Sequence, residues 1–221
     1  MKKLLLGAIM AFLLSSSVSA YDQEITFNGI QWGCTYEEFQ KQKDLYFPYE
    51  SFDTYGYTVD EILGYGAGDN YAEGTMAYIS DSGTTNVAGY DGVYATYYFA
   101  NKYAENSLNS EKTTSFYGAV YEFEEISDLS GATEDLKNKL TSLYGECEDK
   151  SDVAQEHYIY TWKGTNDTEC VLYANGIWEN LQIAYAWRGG EEILKETDAI
   201  INHTEASQEK ELYGNGDTNG L

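Results

Sequence analysis

The chain has few basic residues. Its 221 residues include 13 Lys and Arg against 37 Asp and Glu, a formal net charge of −24 at pH 7, and Arg188 is the only arginine. Proteins recognise phosphate groups mainly through Lys and Arg. The composition therefore predicts no binding to nucleic acid and no attraction to an anionic membrane surface. The acidity favours a well-solvated surface and leaves open an attraction for cationic partners or metal ions.

Histidine and cysteine are also scarce. There are two histidines, His157 and His203, and three widely spaced cysteines, too few and too scattered for a standard zinc site. The motifs of serine hydrolases, zinc proteases, P-loops and dinucleotide-binding folds are missing. A Cys34–His157 pair could act as nucleophile and base, but no motif surrounds either residue, so a structural Cys34 is favoured. We predict no catalytic residue, no metal site and no cofactor.

The sequence has one long apolar run, at residues 4–14, and eleven residues are too few to span a bilayer, which needs roughly 20. Lys2 and Lys3 precede the run, and small residues ending at Ala20 follow it. This is the pattern of a secretory signal peptide, typical of an exported bacterial protein. We predict cleavage after Ala20, a secreted or extracytoplasmic location and, because no cysteine lies directly after the cleavage point to carry a lipid, no membrane anchor.

Export would place the three cysteines in an oxidising compartment. Cys147 follows a predicted helix and Cys170 lies in the strand region after it, so we predict a disulfide between them. Its loop would span about 23 residues and stabilise the fold by about 3 kcal/mol in the chain-entropy model. Cys34 would then be free, buried or paired with another chain.

The alternation of apolar and polar residues predicts several strands. Proline occurs once, at Pro48, while 22 tyrosines and 21 glycines favour a strand-rich domain. In the predicted strand 93–100, Tyr94, Thr96 and Tyr98 share one face. The other predicted strands are 24–30, 75–79, 116–124, 158–163, 169–174 and 180–188.

Capping signals predict the helices. Thr35 and Glu38 have the spacing of a capping box for a helix that begins at Tyr36. Leucines at helical spacing predict a helix over 129–144, which Gly145 ends. Further helical segments are predicted at 59–63 and 191–202.

Short connections between the strands favour an antiparallel sheet. We predict one α+β domain over residues 21–203, with two to three helices packed on one face of the sheet. Residues 204–221 are polar and are predicted to form a disordered tail. The segments 33–35 (Gly-Cys-Thr) and 131–133 (Gly-Ala-Thr) are each followed by acids and then strands, so a tandem duplication of a helix-plus-strands unit is a further option.

Residues 27–39, with the sequence FNGIQWGCTYEEF, carry a resemblance. They are similar to the opening of a group of uncharacterised secreted proteins of Gram-positive gut bacteria, and segments 87–90, 140–145 and 162–185 look similar too. This resemblance implies architecture and export. A remoter likeness is to the β-lactamase inhibitor protein class, which repeats a capped helix followed by an antiparallel sheet and binds partners with an aromatic sheet face. No functional residue is carried over from either group.

Aromatic stripes are the best lead to function. Tyr158, Tyr160 and Trp162 share one face of a predicted strand, as do Tyr185 and Trp187 on another. Tyr and Trp are enriched at protein contact sites, and their rings can stack on sugars. We predict an exported, non-catalytic binding or interaction module that uses this aromatic sheet face for a protein or glycan partner. The competing interpretation is that these rings are core residues between the sheet and the helices.

Small residues bear on that choice, because Ala184 and Ala186 lie opposite Tyr185 and Trp187. A helix packed closely against the alanines would leave the rings facing outward. Two other functions stay open: a secreted hydrolase acting through carboxylates, and a structural component of the cell envelope. Acids such as Glu122 fit a solvated strand end better than a catalytic pair. The sequence leaves the oligomeric state open.

Overall fold

The computed structural model describes residues 23–43, 56–102, 114–124 and 126–213, and it describes side chains in all of these except 43, 81–85 and 207–213. The predicted signal peptide and residues 214–221 lie outside the described residues.

The described chain forms a seven-stranded sheet. All neighbouring strands in it are antiparallel. Together with the helices, this confirms the predicted α+β class. The strands are β1 (Met76–Val87), β2 (Tyr90–Asn101), β3 (Thr114–Phe123), β4 (Glu148–Asp149), β5 (His157–Lys163), β6 (Thr168–Asn175) and β7 (Asn180–Trp187). They lie in the sheet in the order β1-β2-β3-β7-β6-β5-β4.

The order of elements along the chain contains a repeat. A helix precedes the meander β1-β2-β3, and another precedes β5-β6-β7; the two meanders meet where β3 pairs with β7. Two helices precede the first meander and one precedes the second, and the tandem duplication stays a prediction. The short sequence echo does not mark equivalent positions, because 33–35 precede a helix whereas 131–133 lie within one. The helices are α1 (Tyr36–Lys43), α2 (Val59–Ile62), α3 (Leu129–Tyr144) and α4 (Gly189–Tyr213).

Helices cover both faces of the sheet. The first face carries Tyr97 and Phe99, and its core cluster includes residues of α1 and α3. The second face carries Tyr98 and Ala100, and its cluster includes residues of α2 and α4. The prediction that the helices pack on one face is therefore wrong. Helices cover both faces because β2 carries apolar residues on both of its sides, and each apolar side must be shielded from water.

The predicted first strand is a tight turn. Asn28 and Gly29 have φ angles of 51° and 74°, and Phe27 and Ile30 form an isolated antiparallel bridge on either side of them. Asn-Gly is the commonest sequence for such a two-residue turn, because both positions require positive φ. The turn inserts Phe27 into the first-face core, where its ring centroid lies 5.6 Å from that of Tyr185.

The capping predictions are confirmed. The Thr35 amide donates to a Glu38 carboxylate oxygen over 2.8 Å, and the Glu38 amide donates back to Thr35 Oγ1 over 3.3 Å. Gly145 ends α3 with a φ of 84°, a conformation that favours glycine. Asp128 caps the start of α3 by accepting from the Gly131 amide over 2.9 Å.

The last helix is longer than predicted. It continues to Tyr213, so residues 204–213 of the predicted disordered tail are helical. The first half of α4 is anchored on the second face, where Leu194 is buried and Thr197 Oγ1 donates to the Asn101 carbonyl over 2.5 Å. None of the helices in the described part of the chain has the length and apolarity needed to span a membrane.

Candidate functional site

The predicted aromatic stripes lie in or against the first-face core. Tyr160, Trp162 and Tyr185 are 6%, 0% and 8% exposed. Tyr158 and Trp187 are partly buried and pack against the same core. The five rings therefore do not form an open binding face, and the competing interpretation as core residues is confirmed for the three buried ones.

The alanines of β7 show why the prediction of an outward-facing aromatic surface failed. Ala184 and Ala186 belong to the second-face cluster, together with residues of α2 and α4. A helix therefore does pack on the alanine side, as their small size suggested. On the opposite side α3 covers the rings, and Trp162 Nε1 donates to the carbonyl of Gly145 at the end of that helix over 3.0 Å.

The predicted disulfide is missing from the structure, where Cys34, Cys147 and Cys170 are free thiols. Cys170 is fully buried on β6, where its thiol forms a hydrogen bond with Tyr185. The thiol therefore packs in the core as a reduced side chain and needs no disulfide to Cys147. The proposed Cys34–His157 pair gains no support from the thiol's surroundings. Burial, reinforced by the charge of Glu38, raises the pKa of Cys34 to about 12, which disfavours the thiolate that a nucleophile requires.

The thiols give a first test. At pH 8 the half-buried Cys147 is expected to react with a thiol reagent well before the buried Cys34 and Cys170, because reaction needs an accessible thiolate. In denaturant without reductant, all three thiols are expected to react. Titration with a chromogenic disulfide reagent measures both. Only one reactive thiol in denaturant would mean that two cysteines are bonded and would contradict the free-thiol structure.

A pocket lies on the second face. Its volume is about 320 Å³, at the lower end of the range for ligand sites. We call it the tyrosine pocket, because aromatic rings from two strands and from the segment before α2 form its walls. The described residues that line it are Gly56, Tyr57, Tyr78, Thr96, Tyr98 and Glu122.

The sheet register brings the tyrosines together. Tyr78 of β1 pairs directly with Tyr98 of β2, and their ring centroids are 6.2 Å apart with planes inclined at 42°. The Tyr57 ring lies 5.8 Å from that of Tyr98 at 57°. Tyr57 and Tyr78 are thus both tilted against Tyr98, which produces a concave wall.

The polar groups of the tyrosine pocket are held in place by neighbours outside it. Glu122 Oε1 accepts from Gln182 Nε2 on β7 over 2.8 Å. Thr96 Oγ1 and Ser80 Oγ form a hydrogen bond of 3.0 Å between β2 and β1. The carbonyl of Tyr57 accepts from the Tyr117 hydroxyl over 2.5 Å, which ties the segment before α2 to β3.

Electrostatics make the pocket neutral to negative. Burial raises the pKa of Tyr98 well above its ordinary value, and the neighbouring Tyr57, Glu122 and Tyr78 add to the rise. The Tyr98 hydroxyl therefore stays protonated at physiological pH. Among the described lining residues, Glu122 is the only acid, and none is Lys or Arg.

An ion-pair cluster anchors α2 beside this face. Arg188 Nη1 lies 3.0 Å from Asp60 of α2, and Arg188 Nε lies 2.5 Å from Glu169 of β6. The Tyr65 hydroxyl donates to the second Glu169 oxygen over 2.8 Å. The only arginine of the chain thus joins α2 to the sheet.

The sequence contains a signal for the tyrosine pocket. Tyr94, Thr96 and Tyr98 were predicted to share one face of a strand, and the last two line the pocket. Tyr57 and Tyr78 were not singled out, because the segment 49–85 has weak periodicity. Glu122 was interpreted as part of a solvated strand end, and it is exposed, but it also lines the pocket.

Comparison with known proteins finds no match among protein families, curated proteins or solved structures. The two resemblances stated above stay predictions. Within the described residues, no three or more His, Cys, Asp and Glu side chains come together in a way that could hold a metal ion.

Proposed function

We propose that the protein is an exported, non-catalytic binding module that holds a protein or glycan partner in the tyrosine pocket. The single observation that carries this proposal is the concave wall of Tyr57, Tyr78 and Tyr98 beside Glu122. The predicted function is kept, but its site moves from the five meander residues to the other face of the sheet.

The chemistry of the pocket suits recognition of a partner. Tyrosine combines an apolar ring with a polar hydroxyl and fixes its position with few rotatable bonds, so it is enriched at binding surfaces. The side chain of Tyr57 is 55% exposed, and Tyr78 is half-buried. A partner group could therefore reach these rings without unfolding any part of the domain.

Binding is favoured over hydrolysis by the number of acids at the site. Hydrolysis of a glycosidic bond uses a pair of carboxyl groups roughly 5–10 Å apart. Glu122 is the one acid among the described lining residues, and one of its oxygens already accepts from Gln182. Export is supported by the basic, apolar and small-residue pattern of residues 2–20.

The proposal is tested with labelled protein on arrays of glycans and of peptides. We expect a defined class of array positions to bind wild type, and Tyr57→Ala/Tyr78→Ala to lose at least about tenfold in affinity for them. The matched control is Tyr94→Ala, which removes a 38%-exposed tyrosine of β2 that does not line the pocket. We expect the control to bind like wild type.

Two outcomes would contradict the proposal. The first is binding that the double variant retains while its circular dichroism spectrum is that of wild type. The second is no binding to any array position. Release of a shortened product from a bound glycan or peptide would contradict the non-catalytic part and would support the hydrolase alternative.

A further inference from the structure

We infer that the tyrosine pocket selects a positively charged ammonium group, either the side chain of a partner's lysine or a free quaternary ammonium compound. This inference rests on the proposed function and names the chemistry that the pocket recognises. Two observations carry it: the tilt of the rings and the sign of the local charge.

The tilt of the rings suits a compact group better than a flat one. A sugar stacks its face on one aromatic plane, whereas a cation is attracted to several ring faces at once, within about 6 Å of each centroid. Tyr57 and Tyr78 are inclined to Tyr98 by 57° and 42°, with centroids 5.8 and 6.2 Å from it. Tyr98 itself is only 5% exposed, so a small group in the pocket would meet mainly the more exposed rings of Tyr57 and Tyr78.

The charge around the pocket is negative. Glu122 contributes a carboxylate, and Gln182 bonds to one of its two oxygens. The described lining residues include neither Lys nor Arg. The whole chain, at a net charge of −24, would steer a cation toward the surface and an anion away from it.

The hydroxyl groups play a smaller part in this mode of binding. Cation–π attraction depends on the ring and is retained by phenylalanine, whereas recognition of a sugar also needs hydrogen bonds from the hydroxyls. Replacing Tyr57 and Tyr78 by Phe therefore separates the two ligand classes.

The experiment is a titration followed by backbone amide NMR, with the described pocket residues as reporters. The ligands are choline as a free quaternary ammonium, Nα-acetyl-lysine amide as a protein side chain, 3,3-dimethylbutanol as the neutral isostere of choline, and methyl glucoside. We expect saturable shifts around Tyr78, Thr96 and Glu122 with at least one of the two cations, at millimolar affinity, and none with the neutral isostere. Which cation binds more tightly distinguishes the two sources.

The variants sharpen the result. Glu122→Gln and Tyr78→Ala are each expected to weaken cation binding about fivefold or more. Tyr57→Phe/Tyr78→Phe is expected to bind the cation within about twofold of wild type, and so is Tyr94→Ala. Amide spectra of the ligand-free variants that match the spectrum of wild type show that the variants are folded.

Each other outcome overturns the inference. Equal binding of choline and its neutral isostere would mean that the pocket recognises shape and apolarity. Binding of methyl glucoside that is lost in Tyr57→Phe/Tyr78→Phe, with no response to cations, would mean a sugar site and would leave the proposed function standing. No response to any of the four ligands would also overturn it, and the array experiment would then decide the proposed function separately.

Discussion

Replacing Trp162 with alanine is expected to lower the free energy of unfolding by about 3–5 kcal/mol. The side chain is fully buried between β5 and α3, and its indole nitrogen donates to the Gly145 carbonyl over 3.0 Å. The substitution leaves a large cavity and removes the hydrogen bond that joins the end of α3 to the sheet. Urea denaturation followed by circular dichroism measures the loss.

The matched control is Trp178→Ala. Trp178 is 79% exposed in the turn between β6 and β7, where its amide donates to Asn175 Oδ1 through the backbone alone. We expect this variant to change stability by no more than about 0.5 kcal/mol. Equal losses in the two variants would contradict the assignment of Trp162 to the core and would reopen the predicted aromatic face.

Replacing Arg188 with methionine is expected to lower the free energy of unfolding by about 2 kcal/mol. The Glu169 side chain is only 9% exposed, so loss of the guanidinium leaves a nearly buried carboxylate with the Tyr65 hydroxyl as its remaining hydrogen-bond donor among the described contacts. Removing one partner of a fully buried pair costs about 3–5 kcal/mol, and we expect less here because the Arg188 side chain is 38% exposed. Urea denaturation again gives the value.

Two further variants make the Arg188 result specific. Lys41→Met breaks a pair of 2.8 Å with Glu37, in which both side chains are well exposed, and is expected to cost at most about 0.5 kcal/mol. Adding Glu169→Gln to Arg188→Met is expected to restore part of the loss, because the buried group is then neutral. An Arg188→Met cost no larger than that of Lys41→Met would contradict a stabilising role for the cluster.

Local signals in the sequence were sufficient for much of the fold. The capping box of Thr35 and Glu38, the leucine spacing of α3 and the alternation in β5, β6 and β7 all depend on residues close together in the chain. The turn at Asn28-Gly29 was missed although its signal is local and strong. Its apolar neighbours, Ile25 and Phe27, also fit the alternation of a strand.

The candidate site was harder to predict, because it depends on which face each helix covers. Alternation in a strand separates two sets of side chains without saying which set meets a helix. Tyr185 and Tyr98 have similar surroundings in the sequence and are both nearly buried, yet Tyr185 packs in the core with α3 whereas Tyr98 also lines the pocket. The pairing of Tyr78 with Tyr98 and the contact of Tyr57 with Tyr98 depend on the tertiary fold. The spacing of residues along the sequence does not predict them.

The central claim is that the tyrosine pocket is the surface by which this protein holds its partner. Calorimetric titration of the array-selected partner into wild type, Tyr57→Ala/Tyr78→Ala and Tyr94→Ala tests it most directly. The account predicts an affinity at least about tenfold weaker for the double variant, at unchanged folding, and a wild-type affinity for Tyr94→Ala. Equal affinity of the double variant and wild type would contradict it.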